Sequence, residues 1–124
     1  MLIKRESTEI ILDAYNANPT SMKAALKNLS TQKTNKIAIL GDMFELGEES
    51  NKEHLSILNY AKSLKINKIY TVGNYFYEVN NGKLSYKSFQ DLKEYFKDKT
   101  FTNDTILIKG SRGMQLERLL EIIC

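Results

Sequence analysis

The chain has 124 residues, of which 42% are hydrophobic and 27% charged, with one proline and six glycines. Its length suits a single domain, and its composition excludes collagen-like, low-complexity and intrinsically disordered proteins. The net charge of +3 includes no basic block longer than two residues, which argues against nucleic-acid binding.

The cysteine and histidine content limits the possible sites. One cysteine, Cys124, and one histidine, His54, are too few for an internal disulfide or an ordinary zinc site. No apolar run approaches the roughly 20 residues that span a bilayer, and the first residues lack the apolar core of a signal peptide. These features predict a cytoplasmic protein with no membrane segment.

Short β-rich runs alternate with helical spacing along the chain. In order, the pattern predicts a strand at 8–12, a helix after Asn18-Pro19, a strand at 36–40, a helix after a capping box that begins at Ser50, and a strand at 68–72. A weak strand at 84–87, a helix after Ser88, a strand at 105–108 and helical spacing at 116–123 follow. Residues 74–83 are not assigned, apart from a turn at Asn81-Gly82.

The alternation predicts right-handed βαβ units in one domain over residues 1–124. The fold class is α/β and Rossmann-like: a mostly parallel sheet of about five or six strands with helices on both faces. Ligands of such sheets bind beyond the carboxyl ends of the strands. The loops that leave those ends here cover residues 13–19, 41–47, 73–74 and 109–113.

Three positions in or beside these loops are candidates for chemistry. A carboxylate at Asp13 suits either ribose hydroxyls or a turn. The lone imidazole of His54, near a helix start and on its apolar stripe, is either functional or packed in the core. Lys109-Gly110-Ser111 resembles an anion or carboxylate seat, although no Walker A loop is present.

Other loop residues have two readings each. Asp42 and Glu45 lie in an acidic loop that either attracts an ammonium group or metal or is simply solvated. Tyr15 either stacks on a base or packs against the protein. Asn16 and Asn18 are candidate ligand contacts, and Asn18 also suits a helix cap.

Three segments resemble the Mur ligase family. Residues 13–22 read D-A-Y-N-A-N-P-T-S-M, residues 40–47 read L-G-D-M-F-E-L-G with His54 following, and residues 109–114 read K-G-S-R-G-M with Glu117 following. They match, in order and at fitting spacing, the signatures of the Mur ligases that add D-Ala-D-Ala, and they cover nearly the whole chain.

The resemblance implies the last of three domains, after a UDP-sugar domain and a central ATPase domain of the same polypeptide. In the implied cytoplasmic reaction of peptidoglycan synthesis, ATP and Mg²⁺ phosphorylate the carboxylate of a UDP-MurNAc-tripeptide. The amine of D-Ala-D-Ala then attacks the acyl phosphate. The phosphate loop and the Mg²⁺ ligands belong to the central domain, so this domain is expected to be inactive alone.

The resemblance also implies site residues. Nucleotide binding is expected of Asp13, on the ribose hydroxyls, and of Tyr15 and Asn16. No catalytic residue and no metal ligand are expected in this domain. The residues expected to bind the substrate dipeptide are Asn18, Asp42, Glu45, His54, Lys109 and Ser111.

Two alternatives from other classes remain. A receiver-like signalling module suits Asp13 and Lys109 but needs a phospho-accepting aspartate after the third strand, where residues 71–74 read T-V-G-N. A generic α/β interaction module is the other.

Overall fold

The computed structural model describes residues 1–80, 82 and 84–123. Within that part of the chain six strands form one sheet in the order β1-β2-β6-β3-β4-β5. All neighbours are parallel except β1, which is antiparallel to β2. The predicted α/β class and mostly parallel sheet are confirmed. The strands are β1 Leu2–Arg5, β2 Thr8–Asp13, β3 Asn35–Gly41, β4 Lys68–Val72, β5 Ser85–Tyr86 and β6 Asp104–Lys109.

Helices cover both faces of the sheet. Successive residues of a strand point to opposite faces, so Leu107 packs with α1, α2 and α3, while Ile106 and Ile108 pack with α4 and α5. Two apolar cores therefore flank a sheet whose central strands are buried on both sides. The helices are α1 Pro19–Ser30, α2 Ser50–Ser63, α3 Asn74–Val79, α4 Phe89–Phe96 and α5 Leu120–Ile123; 3₁₀ turns cover Gly47–Glu49, Arg112–Met114 and Leu116–Leu119.

Two of the predicted helix starts are confirmed. The Asn18 side chain accepts a hydrogen bond of 2.9 Å from the Ser21 amide, and the Ser21 hydroxyl accepts one of 3.1 Å from the Asn18 amide. At α4 the Ser88 hydroxyl accepts from the Asp91 amide at 3.2 Å. Both side chains satisfy amides that the first helical turn leaves without an internal partner.

The predicted capping box at Ser50 is wrong. The residue before α2 is Glu49, which ends a 3₁₀ turn and makes no side-chain cap, and the Ser50 hydroxyl instead lies 3.3 Å from Nδ1 of His54. Helical backbone already precedes Ser50, so the extended conformation that an N-cap requires is absent there.

The C-terminal segment and two other elements also differ from the sequence patterns. The predicted final helix is a 3₁₀ turn followed by the four-residue α5, and a further 3₁₀ turn, not an α-helix, follows Ser111. β1 and α3 were not predicted. Asn81 of the predicted Asn81-Gly82 turn and the lone cysteine, Cys124, lie outside the described residues.

Two glycines let the ends of β3 and β6 approach closely. A Cβ atom on Gly110 would lie 2.9 Å from Cα of Gly41 and 2.8 Å from Cδ1 of Leu116. Because neither residue carries a side chain, the next residues of the two strands run side by side, and the Ser111 amide donates to the Asp42 carbonyl at 2.9 Å.

We expect Gly110→Ala to lower the free energy of unfolding by about 1–3 kcal/mol, since the added methyl group overpacks a site bounded partly by backbone. Urea denaturation of the purified chain measures the change. Leu116→Val removes Cδ1 of Leu116, the nearest of the atoms that the methyl group meets. The double variant should therefore lose less stability than the two single variants together, and simple additivity would contradict this packing.

Candidate functional site

The loops that follow β2, β3, β4 and β6 meet at one edge of the sheet. This is the edge where α/β proteins bind ligands, and its backbone is tied together across the strands. The residues with predicted roles lie at or just beneath this edge: Asp13, Tyr15, Asn16, Asn18, Asp42, Glu45, His54, Lys109 and Ser111.

An ion pair between a buried lysine and a half-exposed aspartate links the first and last of these loops. Lys109 ends β6 beside Asp13 of β2, and its Nζ donates to Asp13 Oδ2 at 2.7 Å and to the Asn16 carbonyl at 2.9 Å. The Lys109 side chain is 1% exposed, whereas that of Asp13 is 48% exposed. The Lys109 ammonium group thus binds acceptors within the protein, while the Asp13 carboxylate remains open to solvent.

Tyr15 and Arg112 flank the Asp13 carboxylate. Tyr15 is 71% exposed, and the guanidinium carbon of Arg112 lies 4.9 Å from the centre of its ring. Together with Leu12 and Glu117 they line an open cavity of about 390 Å³. We refer to this as the first cavity. Arg112 was not predicted as a site residue, although it is the arginine of the K-G-S-R segment.

Asp42 is buried and binds the backbone of α3. Its two carboxylate oxygens accept from the amides of Tyr75 and Phe76, both at 2.9 Å. Burial raises the pKa of the Asp42 carboxyl group above its usual value, and these two hydrogen bonds oppose the rise. At Gly73, with φ of 121°, any Cβ atom would collide with the carboxylate. Asp42 therefore caps a short helix that lies 32 residues further along the chain.

His54 is fully buried and holds the same loop from below. Its Nε2 accepts from the Met43 amide at 3.0 Å, and Nδ1 lies 2.7 Å from the Ser50 carbonyl, to which it donates. This pairing requires the neutral tautomer with the proton on Nδ1. Nε2 is 4.0 Å from Asp42 Oδ1 but carries no proton, so the contact is not an ion pair. His54 is thus packed beneath the loop, and its role toward a ligand stays a prediction.

The remaining predicted residues divide into buried and exposed groups. Ser111 is 8% exposed, and its hydroxyl accepts from the Phe44 amide at 2.8 Å. Asn16 and Asn18 are exposed; the former supplies its carbonyl to Lys109 and the latter caps α1. Glu45 is exposed at a φ of 64°. Glu45 and the Asn16 side chain therefore face solvent at the edge of the sheet.

A second cavity of about 350 Å³ opens on the other side of this edge. It lies between the loops after β3 and β4, the start of α4 and the segment after β6. Sequence reasoning missed most of its charged lining, because Lys87 and Arg118 belong to none of the recognised segments. Its lining residues include Asp42, Phe44, Tyr75, Lys87, Ser88, Phe89, Met114 and Arg118.

The described residues contain neither a group of three or more acidic, histidine or cysteine side chains placed to hold a metal ion nor a helix long and apolar enough to cross a bilayer.

Comparison with known proteins yields one consistent group of relatives. The sequence model of a family described as "Mur ligase, glutamate ligase domain" matches residues 1–112. UDP-N-acetylmuramoyl-tripeptide–D-alanyl-D-alanine ligase from Rickettsia prowazekii is 36% identical over 127 residues, covering 97% of this chain and 28% of the relative. The enzyme of that name from Bacillus subtilis is 36% identical over 132 residues, covering 97% of this chain and 29% of the relative. The chain thus spans less than a third of these relatives.

Solved structures agree with this relationship. The MurF ligase from Thermotoga maritima in complex with ADP is 25% identical and superimposes with a TM-score of 0.81, covering 98% of this chain and 29% of that one. MurF from Acinetobacter baumannii is 29% identical, with a TM-score of 0.81 and the same two coverages.

We expect the Lys109–Asp13 pair to contribute measurably to stability. A double-mutant cycle with Lys109→Met and Asp13→Asn should give a coupling energy of about 1–3 kcal/mol, between the values for exposed and fully buried pairs. The matched control is Lys4–Glu9, which is 3.8 Å long with side chains 71% and 40% exposed. Its cycle should give a coupling near zero. Equal couplings in the two cycles would show that burial of Lys109 adds nothing.

Proposed function

Because the chain belongs to the Mur ligase family, we propose that it is the C-terminal domain of a ligase that uses ATP to join D-Ala-D-Ala to a UDP-MurNAc-tripeptide. The support is that relatives bearing this name match 97% of the chain at 36% identity. This chain covers only 28% and 29% of their lengths, so the UDP-sugar domain and the central ATPase domain are proposed to lie in the same polypeptide. The reaction would belong to cytoplasmic peptidoglycan precursor synthesis. Family membership removes the support for a receiver-like or generic interaction module.

The nucleotide is proposed to bind at the first cavity. The observation that carries this assignment is the Asp13 carboxylate, which Lys109 holds in place while half of the side chain remains exposed. A carboxylate fixed in this way can accept two ribose hydroxyl groups. The exposed ring of Tyr15, with Arg112 over it, offers a face on which a base can stack. The ADP-bound relative supports nucleotide binding in the family.

Mg²⁺ is proposed to bind outside this domain. The family resemblance places the phosphate loop and the Mg²⁺ ligands in the central domain, where the metal would act with the phosphates.

The dipeptide is proposed to bind at the second cavity. Asp42 lines it, and His54 and Ser111 hold the loop that carries Asp42 and Phe44. Glu45 and Asn18 lie exposed at the same edge. In this proposal the domain contributes position: it places the dipeptide amine against the activated carboxylate when it closes on the central domain. Since the ammonium group of Lys109 pairs with Asp13, we propose that Lys109 supports nucleotide binding and does not contact the dipeptide.

We expect the isolated chain to hydrolyse no ATP and to form no peptide product. Phosphoryl transfer depends on electrostatic stabilisation by a phosphate loop and metal ions, and the recognised segments of this chain include neither. Release of inorganic phosphate with Mg²⁺ present measures the activity. Turnover that follows the chain through successive purification steps would contradict the expectation.

In the full-length ligase we expect Asp13→Ala to raise the KM for ATP about ten- to a hundredfold, because it removes a charge-assisted acceptor worth about 1.5–3 kcal/mol. Lys109→Met should raise the same KM, because Asp13 loses its anchor. The KM for D-Ala-D-Ala should change little in both variants, as should both constants in the control Glu48→Ala. An effect of Lys109→Met confined to D-Ala-D-Ala would refute the reassignment of Lys109.

A further inference from the structure

Two cations line the second cavity without belonging to any recognised segment. Lys87 lies between β5 and α4, and Arg118 lies in the 3₁₀ turn after β6. Among the described lining residues the acidic partner is Asp42, whose oxygens both accept from the start of α3. The cavity is therefore cationic on the side formed by Lys87 and Arg118.

The guanidinium group of Arg118 lies against the first residue of α4 and is held by three contacts. Its guanidinium carbon lies 3.8 Å from the centre of the Phe89 ring. Its Nε donates to the Gln115 carbonyl at 2.9 Å and its Nη2 to the Met114 carbonyl at 3.0 Å. These two bonds use two of the five N–H donors of a guanidinium group, which is a planar fork suited to carboxylates. A fixed fork with donors to spare is the arrangement that binds a carboxylate at low entropic cost.

The start of α4 adds to this cationic side. Ser88 and Phe89 line the cavity, and the Ser88 side chain caps only the Asp91 amide. The amides of the first helical turn carry a partial positive charge that favours an anion. Lys87 precedes this turn, and its Nζ lies 5.4 Å from the centre of the Tyr77 ring. Two cationic side chains and a helix start thus line the same cavity.

Lys109, which the sequence predicts to be part of a carboxylate seat, already has two partners within the protein. Lys109 is 1% exposed and donates to Asp13 and to the Asn16 carbonyl. Its partner Asp13 lines the first cavity. A carboxylate entering the second cavity would therefore meet Arg118 and Lys87.

We propose that Arg118 and Lys87, with the first turn of α4, bind the terminal carboxylate of the incoming dipeptide and so select a substrate with a free C-terminus. The inference rests on the proposed function, since it assigns the dipeptide of that reaction to the second cavity. A volume of about 350 Å³ lies at the small end of the range for ligand sites. The apolar rings of Phe44 and Phe89 suit the small methyl side chains of such a dipeptide.

The test measures kcat/KM of the full-length ligase for D-Ala-D-Ala and for D-alanyl-D-alaninamide, in which the carboxylate is replaced by a neutral amide. The wild type should prefer the free acid. Arg118→Gln and Lys87→Gln should each lower that preference about ten- to a hundredfold, the equivalent of one charge-assisted hydrogen bond. Turnover of the amide should change little. Arg118→Lys keeps the charge and should retain part of the preference.

The ratio of the two substrates within one variant is insensitive to the fraction of enzyme that folds. It therefore separates carboxylate recognition from the packing of Arg118 on Phe89. Lys99→Gln is the matched control, because Lys99 also lies over a tyrosine ring, 4.5 Å from that of Tyr95, but at the opposite edge of the sheet. Its preference should equal that of the wild type.

An unchanged preference in Lys87→Gln and in both Arg118 variants would overturn the inference while leaving the proposed function intact. If Arg118→Gln fails to fold, Lys87→Gln and Arg118→Lys still decide it. Absence of any product from the wild type with D-Ala-D-Ala would instead refute the proposed function.

Discussion

The ammonium group of Lys109 cannot remain buried without partners, and its need for them organises the edge of the sheet. A lone buried charge costs several kcal/mol, so Nζ must hold both the Asp13 carboxylate and the Asn16 carbonyl. Both partners belong to the loop after β2, which is thereby fixed against the end of β6. The same contact leaves the Asp13 side chain 48% exposed. One buried cation thus positions a carboxylate at the solvent boundary, where a ligand can reach it.

The loop after β3 depends on a comparable arrangement of polar side chains. Irregular backbone cannot satisfy its own amides, so buried side chains must do so. His54 accepts from Met43, Ser111 accepts from Phe44, and Asp42 accepts from the start of α3. These three side chains therefore accept hydrogen bonds from backbone amides, and in this way they fix the loop that lines the second cavity. The two cations that line the second cavity, Lys87 and Arg118, come from outside the recognised segments.

The sequence predicted the elements whose signal is local. The predicted strand at 68–72 coincides with β4. The strands predicted at 8–12, 36–40 and 105–108 lie within one residue of the ends of β2, β3 and β6. β1 was missed because most of its residues are exposed and it pairs through one edge, which leaves no apolar run. α3 was missed because its cap is Asp42, far away in the chain. Likewise the pairing of Asp13 with Lys109 joins residues 96 apart, so no local pattern could predict it, and the family resemblance implied a different ligand for each residue.

The two cavities share no lining residue, and this separation has a chemical consequence. Both are open to solvent on the described surface, and in the proposed assignment their side chains bind and orient ligands. In water, exposed donors and charges stabilise a transition state weakly, because the solvent screens them. A domain built in this way gains catalytic value only when another surface covers the edge and excludes water. The rigid fastening of the loops by Lys109, His54 and Ser111 then matters for a physical reason: groups that are already in place when the edge is covered lose little further entropy.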